Sequence, residues 1–144
     1  MSVIATPRTP TAATGRFTTQ TWKFPNGFWR WEVVNVLVEW VRVLKPGGVM
    51  LLECPNLLSA CQQLLQNPDG AAGPGQEGQR SMWVFYGDPA WQDPLMIHRW
   101  GYTPRSLAEV MFQAGLVNLR QEPAQFKLRE PRDMRIVGEK PAAK

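Results

Sequence analysis

The stretch "RVLKPGGVMLLECPN", residues 42–56, decides what kind of fold this chain can have. Pro46 stops a preceding helix, and the two glycines after it allow a sharp reversal of the backbone. Residues 49–54 are apolar on both faces until Glu53. A short run of that kind is typical of a strand inside a parallel sheet that helices cover. The stretch therefore predicts a helix-to-strand junction in an α/β fold.

The residues before this junction, "WEVVNVLVEWVRVLK" (31–45), are rich in valine, which on propensity alone favours a strand. Their polar residues favour a helix instead, because they recur at steps of three, four and three and draw one stripe on a 3.6-residue helix. These residues are Glu32, Asn35, Glu39 and Arg42. The rest of the circumference is apolar, so we predict a helix that packs on more than one side.

The second half of the chain predicts a further helix and a pair of strands. Residues 103–115 form a helix with both ends marked, by Thr103 as N-cap and by Gly115 as left-handed C-terminal cap. Its buried stripe is Leu107, Val110, Met111 and Ala114. Residues 116–123 and 133–141 then read as two antiparallel strands. Between the two halves we predict a short helix at 56–66, a glycine-rich surface loop at 67–79 and an aromatic segment at 81–102.

Composition and charge favour a single globular domain without a nucleic-acid, metal or membrane partner. The chain has 144 residues, of which 44% are hydrophobic and 19% charged, which is enough for one domain with its own core. The net charge of +4 is spread among residues of both signs, so we expect no nucleic-acid partner. Cys54 and Cys61 have no ligands at metal-binding spacing, so we expect reduced thiols and no metal. No apolar run is long enough to cross a bilayer and residues 1–16 lack the apolar core of a signal peptide, so we expect a cytoplasmic protein without a membrane partner.

In this order, the elements resemble the C-terminal half of a class I S-adenosylmethionine-dependent methyltransferase, with a type 11-like methyltransferase domain. "EWVRVLKPGGVMLLECPN" (39–56) resembles the family's helix before its fifth strand, together with that strand. "HRWGYTPRSLAEVMFQAGL" (98–116) resembles the helix before the sixth strand, and "FWRWE" (28–32) is similar to the segment that enters the former helix. The resemblance implies an α/β, partial Rossmann-like fold of about three strands with flanking helices.

The resemblance also implies a division of the chain and a function. Residues 28–141 would form a truncated methyltransferase domain, with residues 56–102 as an insert or lid. Residues 1–27 would be a disordered or β-prone extension, and residues 142–144 a tail. The implied activity is methyl transfer from S-adenosylmethionine to an unknown small-molecule acceptor.

The sequence departs from the family where the family binds its cofactor. The Gly-rich turn after the first strand and the acidic residue after the second are both missing, so we expect the chain to be incomplete and inactive alone. In the family's sheet the fifth strand lies between the fourth and the seventh. Without the N-terminal half, the strand at 49–54 would become an edge that invites pairing. The segment at 16–24 could cover it, or a second copy in a homodimer, or the missing half as a separate chain. The alternative function is a non-catalytic interaction module that pairs through this edge.

Five side chains are candidates for binding the acceptor: Glu53, Asn56, Tyr86, His98 and Tyr102. Glu53 lies at the carboxyl end of a strand, where α/β sheets place their functional sites, so it could line the acceptor pocket. The alternative is that its side chain only marks the point where the strand leaves the core. Asn56 has a similar position, or else caps the following helix. His98 is the only histidine and the simplest group for acid–base chemistry near neutral pH, or else a hydrogen-bonded structural residue.

Phe28 and Trp29 are the candidates for contact with the cofactor, since the family's chain passes beside it at this point. The alternative is that both pack against the helix at 31–45. Methyl transfer needs little more than in-line positioning and sometimes one base. No catalytic constellation is therefore expected, and only Glu53 or His98 is a candidate proton acceptor.

Overall fold

The computed structural model of the protein describes residues 16–18, 27–73, 75–90, 92–94, 97–125 and 133–143, and the structural statements below concern these residues. The chain is mixed α/β, as predicted. In chain order its elements are β1 (Arg16–Thr18), α1 (Arg30–Val43), β2 (Val49–Pro55), α2 (Leu57–Gln66), α3 (Pro68–Ala72), α4 (Gln76–Tyr86), α5 (Pro104–Gln113), β3 (Val117–Glu122) and β4 (Asp133–Glu139).

The described strands form one sheet in the order β1-β2-β4-β3. β1 runs parallel to β2, and β4 is antiparallel to both of its neighbours. The predicted antiparallel pair at the end of the chain is confirmed. The parallel environment predicted for β2 exists on one side only, because the last strand of the chain enters the sheet beside it in the opposite direction.

β2 is not the edge of the sheet over its first three residues. Residues 49–51 pair with β1, so that the first of the three expected ways to cover this edge is present there. Pairing satisfies backbone groups that an edge would leave open. The rest of the predicted β-prone segment, residues 19–24, lies outside the described residues, as do residues 1–15 of the predicted extension.

The junction at residues 42–56 has the predicted form. α1 buries Val33, Leu37 and Val41, which are spaced four apart on one face. Gly47 has a φ of +74°, the left-handed conformation that the reversal requires. The prediction that α1 packs on more than one side is wrong for its outer face, where the apolar Trp31 and Val43 are exposed.

The helix α5 matches its predicted ends and its buried stripe. Leu107, Val110, Met111 and Ala114 are all buried. The N–H of Ser106 donates to Oγ1 of Thr103 over 3.2 Å, and the N–H of Thr103 donates to Oγ of Ser106 over 2.9 Å. Gly115, with a φ of +96°, ends the helix.

Replacing Thr103 by alanine is expected to lower the free energy of unfolding by about 1 kcal/mol, because one end of this reciprocal cap is lost. Chemical denaturation measures the change. Gln113→Ala, at the exposed far end of the same helix, is the matched control and should change stability by a few tenths of that amount. Equal losses in both variants would contradict a specific role for the cap.

The glycine-rich stretch at 67–79 is not the surface loop that its composition predicted, because α3 and the start of α4 lie within it. Asn67 caps α3 by accepting the N–H of Gly70 over 3.1 Å, and Pro68 suits its first turn. α4 packs against α2 and α3, and Oγ of Ser81 donates to Oε1 of Gln63 over 2.9 Å. Capping and tertiary packing therefore outweigh the low helix propensity of glycine here.

Both faces of the central strands are buried. On one face, β2 and β4 pack against α1 and α5 in the main apolar cluster, to which they contribute Met50, Leu52, Cys54, Met134 and Ile136. Since side chains alternate along a strand, the other face carries Leu51, Glu53, Arg135 and Val137, which are buried as well. Burial on both faces is the property predicted for residues 49–54.

Candidate functional site

Three helices begin at the carboxyl end of β2. α2 starts directly after this strand. The C-terminus of α1 leads into the amino end of β2, and its buried side chains share the main cluster with β2, so we infer that α1 starts at the carboxyl end. α5 starts there too, since Tyr102 forms a bridge with Asn56 immediately before it. The N-terminus of a helix carries a partial positive charge. The carboxyl end of β2 is therefore the part of the described sheet best suited to an anionic group.

Asn56 lies at this end, where its side chain caps α2. Its Oδ1 accepts the N–H of Leu58 over 3.0 Å, and the N–H of Leu57 donates to the carbonyl of Tyr102 over 2.9 Å. The structural alternative considered for Asn56 is thus present. Its amide oxygen is engaged within α2, and the backbone bond from Leu57 to Tyr102 ties α2 to the segment that enters α5.

Tyr102 is the most unusual of the sequence-derived candidates. The residue is fully buried in the main cluster, and its hydroxyl Oη has no hydrogen-bond partner. Burial raises the pKa of Tyr102 to about 12, and the positive charge of Arg30 at the start of α1 opposes this increase. Buried polar groups are nearly always hydrogen-bonded, so that an exception of this kind calls for an explanation.

Glu53 lies on the opposite face of the sheet from Cys54. Its Oε2 accepts from Nε of Arg135 over 2.7 Å, and its Oε1 accepts the backbone N–H of Gln125 over 2.9 Å. Both side chains of the ion pair are 5% exposed. The carboxylate is thus engaged by a guanidinium directly across the β2–β4 pair, which sequence reasoning did not anticipate.

His98 and Tyr86 lie together at the end of α4. Nδ1 of His98 donates to the carbonyl of Val84 over 2.8 Å, and the backbone N–H of His98 donates to the carbonyl of Tyr86 over 3.3 Å. The Tyr86 side chain is 65% exposed. The structure thus joins the five acceptor candidates into two pairs, Asn56 with Tyr102 and Tyr86 with His98, and holds Glu53 separately in its ion pair.

Phe28 and Trp29 lie where α1 begins. Phe28 packs against the main buried cluster, which is the structural alternative considered for it. Trp29 is the N-cap residue of α1, its N–H donates to Oε2 of Glu32 over 2.9 Å, and its ring stacks on that of Trp31 with 5.1 Å between centroids. The Trp29 side chain is exposed.

Sequence reasoning missed two arginines. Arg135 becomes the partner of Glu53 only through the antiparallel register of β2 and β4, which no local pattern reveals. Arg30 stands between two tryptophans in "FWRWE" and begins α1. A signal for Arg30 did exist, because a cation at the first position of a helix is electrostatically unfavourable unless something else requires it.

Neither a metal-binding cluster nor a membrane-spanning helix is found among the described residues. Within the ranges given above, no group of three or more histidine, cysteine, aspartate or glutamate side chains is arranged to hold a metal ion. None of the described helices is long and apolar enough to span a membrane.

Comparison with known proteins gives one fold likeness. No family model matches the chain, and no curated protein does. A solved structure, described as that of a possible exported protein from Bordetella parapertussis, is similar with a TM-score of 0.50 and 19% sequence identity. The match covers 89% of this chain and 39% of that one, so this chain spans about two fifths of the neighbour's length. At this identity the likeness concerns the fold alone.

Proposed function

We propose that this chain forms the acceptor side of an S-adenosylmethionine-dependent methyltransferase. The order of the strands carries the proposal. β2 follows the Lys-Pro-Gly-Gly junction and lies between a parallel strand and the last strand of the chain, which is antiparallel. In the family that the sequence resembles, the fifth strand lies between the fourth and the seventh. The position of α5 directly before β3 agrees with the same comparison.

The residues present fit the cofactor only in part. Phe28 and Trp29 offer aromatic surface at the carboxyl end of β2, and Tyr102 offers an unpartnered hydroxyl there. The sequence contains neither the Gly-rich turn nor the acidic residue that would hold the methionine and ribose ends. The proposal therefore includes a second contributor, either another polypeptide or a second copy of this chain.

S-adenosylmethionine, when bound, supplies a methyl group on a positively charged sulfur. The chain's own task is to orient a small acceptor and to receive its proton. His98 is the candidate for the second role, because an imidazole is the side chain best suited to accept a proton near neutral pH. The bond from its Nδ1 to the Val84 carbonyl holds the ring in place. The carboxylate of Glu53 is already engaged by Arg135.

We also propose the cytoplasm as the location of this protein. Cys54 and Cys61 are both free thiols, as a reducing compartment favours. The similar solved structure bears the description of a possible exported protein, so the location deserves a direct measurement. Fractionation of the source cells, with detection of the chain by antibody, provides it.

The test is to recover the tagged chain from its own cells under native conditions and to titrate it with S-adenosylhomocysteine. We expect an assembly larger than one chain that binds this product saturably, whereas the chain purified alone should show no saturable rise in melting temperature. An assembly without affinity for S-adenosylhomocysteine would contradict the proposal. A defined dimer without that affinity would favour the alternative, an interaction module.

A further inference from the structure

Two hydrogen-bond donors at the carboxyl end of β2 have no partner among the residues that the structure describes. The hydroxyl of Tyr102 is fully buried and makes no hydrogen bond. In the part of the chain that the structure describes, the half-buried guanidinium of Arg30 also makes neither a hydrogen bond nor an ion pair. Arg30 begins α1 and Tyr102 forms a bridge with Asn56, so both donors belong to segments at the carboxyl end of β2. A fold that retains two such donors points to a ligand that engages both.

The electrostatic surroundings favour an anion. The N-termini of α1, α2 and α5, helices of fourteen, ten and ten residues, lie at this end of the strand. Two of the negative groups nearby are already engaged. Glu32 caps α1, and Glu53 pairs with Arg135 on the other face of the sheet. Asp133, the pairing partner of Pro55, also lies near this end and has an interaction of its own, although its buried Oδ1 accepts no hydrogen bond. By alternation along β4 it shares the face of Arg135, opposite to the main cluster that contains Tyr102.

We infer that Arg30 and Tyr102 together bind the carboxylate group of a small ligand at the carboxyl end of β2. A guanidinium presents a planar pair of N–H donors that match the two oxygens of a carboxylate, and the hydroxyl adds a third donor. The single positive charge of Arg30 balances one negative charge. A phosphate dianion would remain partly uncompensated in this buried position, which is costly.

The site opens through Arg30, since this residue is the partly exposed member of the pair. Tyr102 is covered in the ligand-free chain, so binding has to displace the atoms that cover its hydroxyl. The identification of the bound carboxylate as part of the methyl acceptor rests on the proposed function. The binding of a carboxylate at this site does not rest on it, and this binding can be tested without any methyl donor.

The chain has only two tyrosines, Tyr86 and Tyr102, which makes the site directly observable. Protein labelled with ¹³C at the ζ carbon of tyrosine should give two resonances, one from the exposed and one from the buried ring. The probes are acetate and benzoate, with acetamide and benzamide as neutral controls of the same shape. We expect the carboxylates to shift the Tyr102 resonance saturably, and the amides to leave it in place.

Three variants complete the test. Tyr102→Phe identifies the resonance by removing it, and it should abolish the carboxylate-dependent rise in melting temperature seen in the unmodified chain. Arg30→Gln should weaken carboxylate binding by about tenfold or more, because a charge-assisted pair is lost. Arg42→Gln removes the same charge from the opposite end of α1, where Arg42 forms an exposed pair with Glu39, and should bind as the unmodified chain does.

Three results would overturn the inference. The first is a Tyr102 resonance that ignores both carboxylates, and the second is equal binding by the Arg30→Gln and Arg42→Gln variants. The third is a response to inorganic phosphate but not to carboxylates, which would mean that the site takes a different anion. Because no methyl donor is present, none of these results depends on whether S-adenosylhomocysteine binds.

Discussion

Replacing Arg135 by methionine is expected to lower the free energy of unfolding by about 3–5 kcal/mol. The substitution keeps most of the side-chain volume but leaves the Glu53 carboxylate, only 5% exposed, without the guanidinium that lies 2.7 Å away. The expected loss of stability comes mainly from the buried carboxylate that is left without its counter-charge, and less from lost packing of the arginine side chain. Urea denaturation of both proteins at neutral pH measures the difference.

Arg120→Met is the matched control for this prediction. Arg120 pairs with Glu122 over 3.1 Å and with Glu139 over 3.2 Å, but its side chain is 44% exposed. Exposed ion pairs contribute about 0–1 kcal/mol, so we expect a loss within that range. The double variant Glu53→Leu with Arg135→Met should recover most of the stability lost in Arg135→Met, because it removes both charges together.

These experiments also bear on the role of Glu53. If Arg135→Met costs no more than Arg120→Met, the pair is not a structural necessity, and the carboxylate becomes available for an acceptor. A loss of the expected size that the double variant reverses would assign Glu53 to the β2–β4 connection. His98 would then remain the candidate proton acceptor.

Replacing Tyr102 by phenylalanine is expected to stabilise the ligand-free protein at neutral pH by about 1–3 kcal/mol. The ring and its packing remain, while the change removes a buried hydroxyl that has no hydrogen-bond partner. Tyr86→Phe is the control, since that side chain is 65% exposed and should have almost no effect. Denaturation of all three proteins in the same buffer measures the change. A loss of stability in Tyr102→Phe would mean that the hydroxyl is satisfied in solution.

The advantage of Tyr102→Phe should grow at alkaline pH. Burial raises the pKa of Tyr102 to about 12, against 10 for the group in its ordinary state. Between these values the unfolded chain loses the phenolic proton and the folded chain keeps it, so the stability of the unmodified protein falls as the pH rises. Two units of pKa correspond to about 2–3 kcal/mol. Stability measured at intervals from pH 9 to 12 should show the two proteins diverging, since phenylalanine has no proton to lose.

Some elements could be predicted from local patterns alone. The stripe of Glu32, Asn35, Glu39 and Arg42 identified α1 in spite of its valines, and the caps at Thr103 and Gly115 marked the ends of α5. The prediction of a loop at the glycine-rich stretch 67–79 was wrong, because the helices there are stabilised by the packing of α4 against α2 and α3. Local composition does not indicate such packing. Propensity is a weak signal wherever tertiary contacts oppose it.

The chemistry of the candidate site depends on contacts between distant parts of the chain. The sequence alone determined the helix-to-strand junction, the burial of both faces of β2 and the presence of Glu53 and Asn56 at its carboxyl end. Only the tertiary structure decided that Arg135, 82 residues away, engages Glu53, and that Tyr102 lies beside Asn56 with its hydroxyl buried and without a hydrogen bond. The physical reason is that capping and periodicity act within a few residues, whereas strand register and the burial of a single hydroxyl depend on the whole fold.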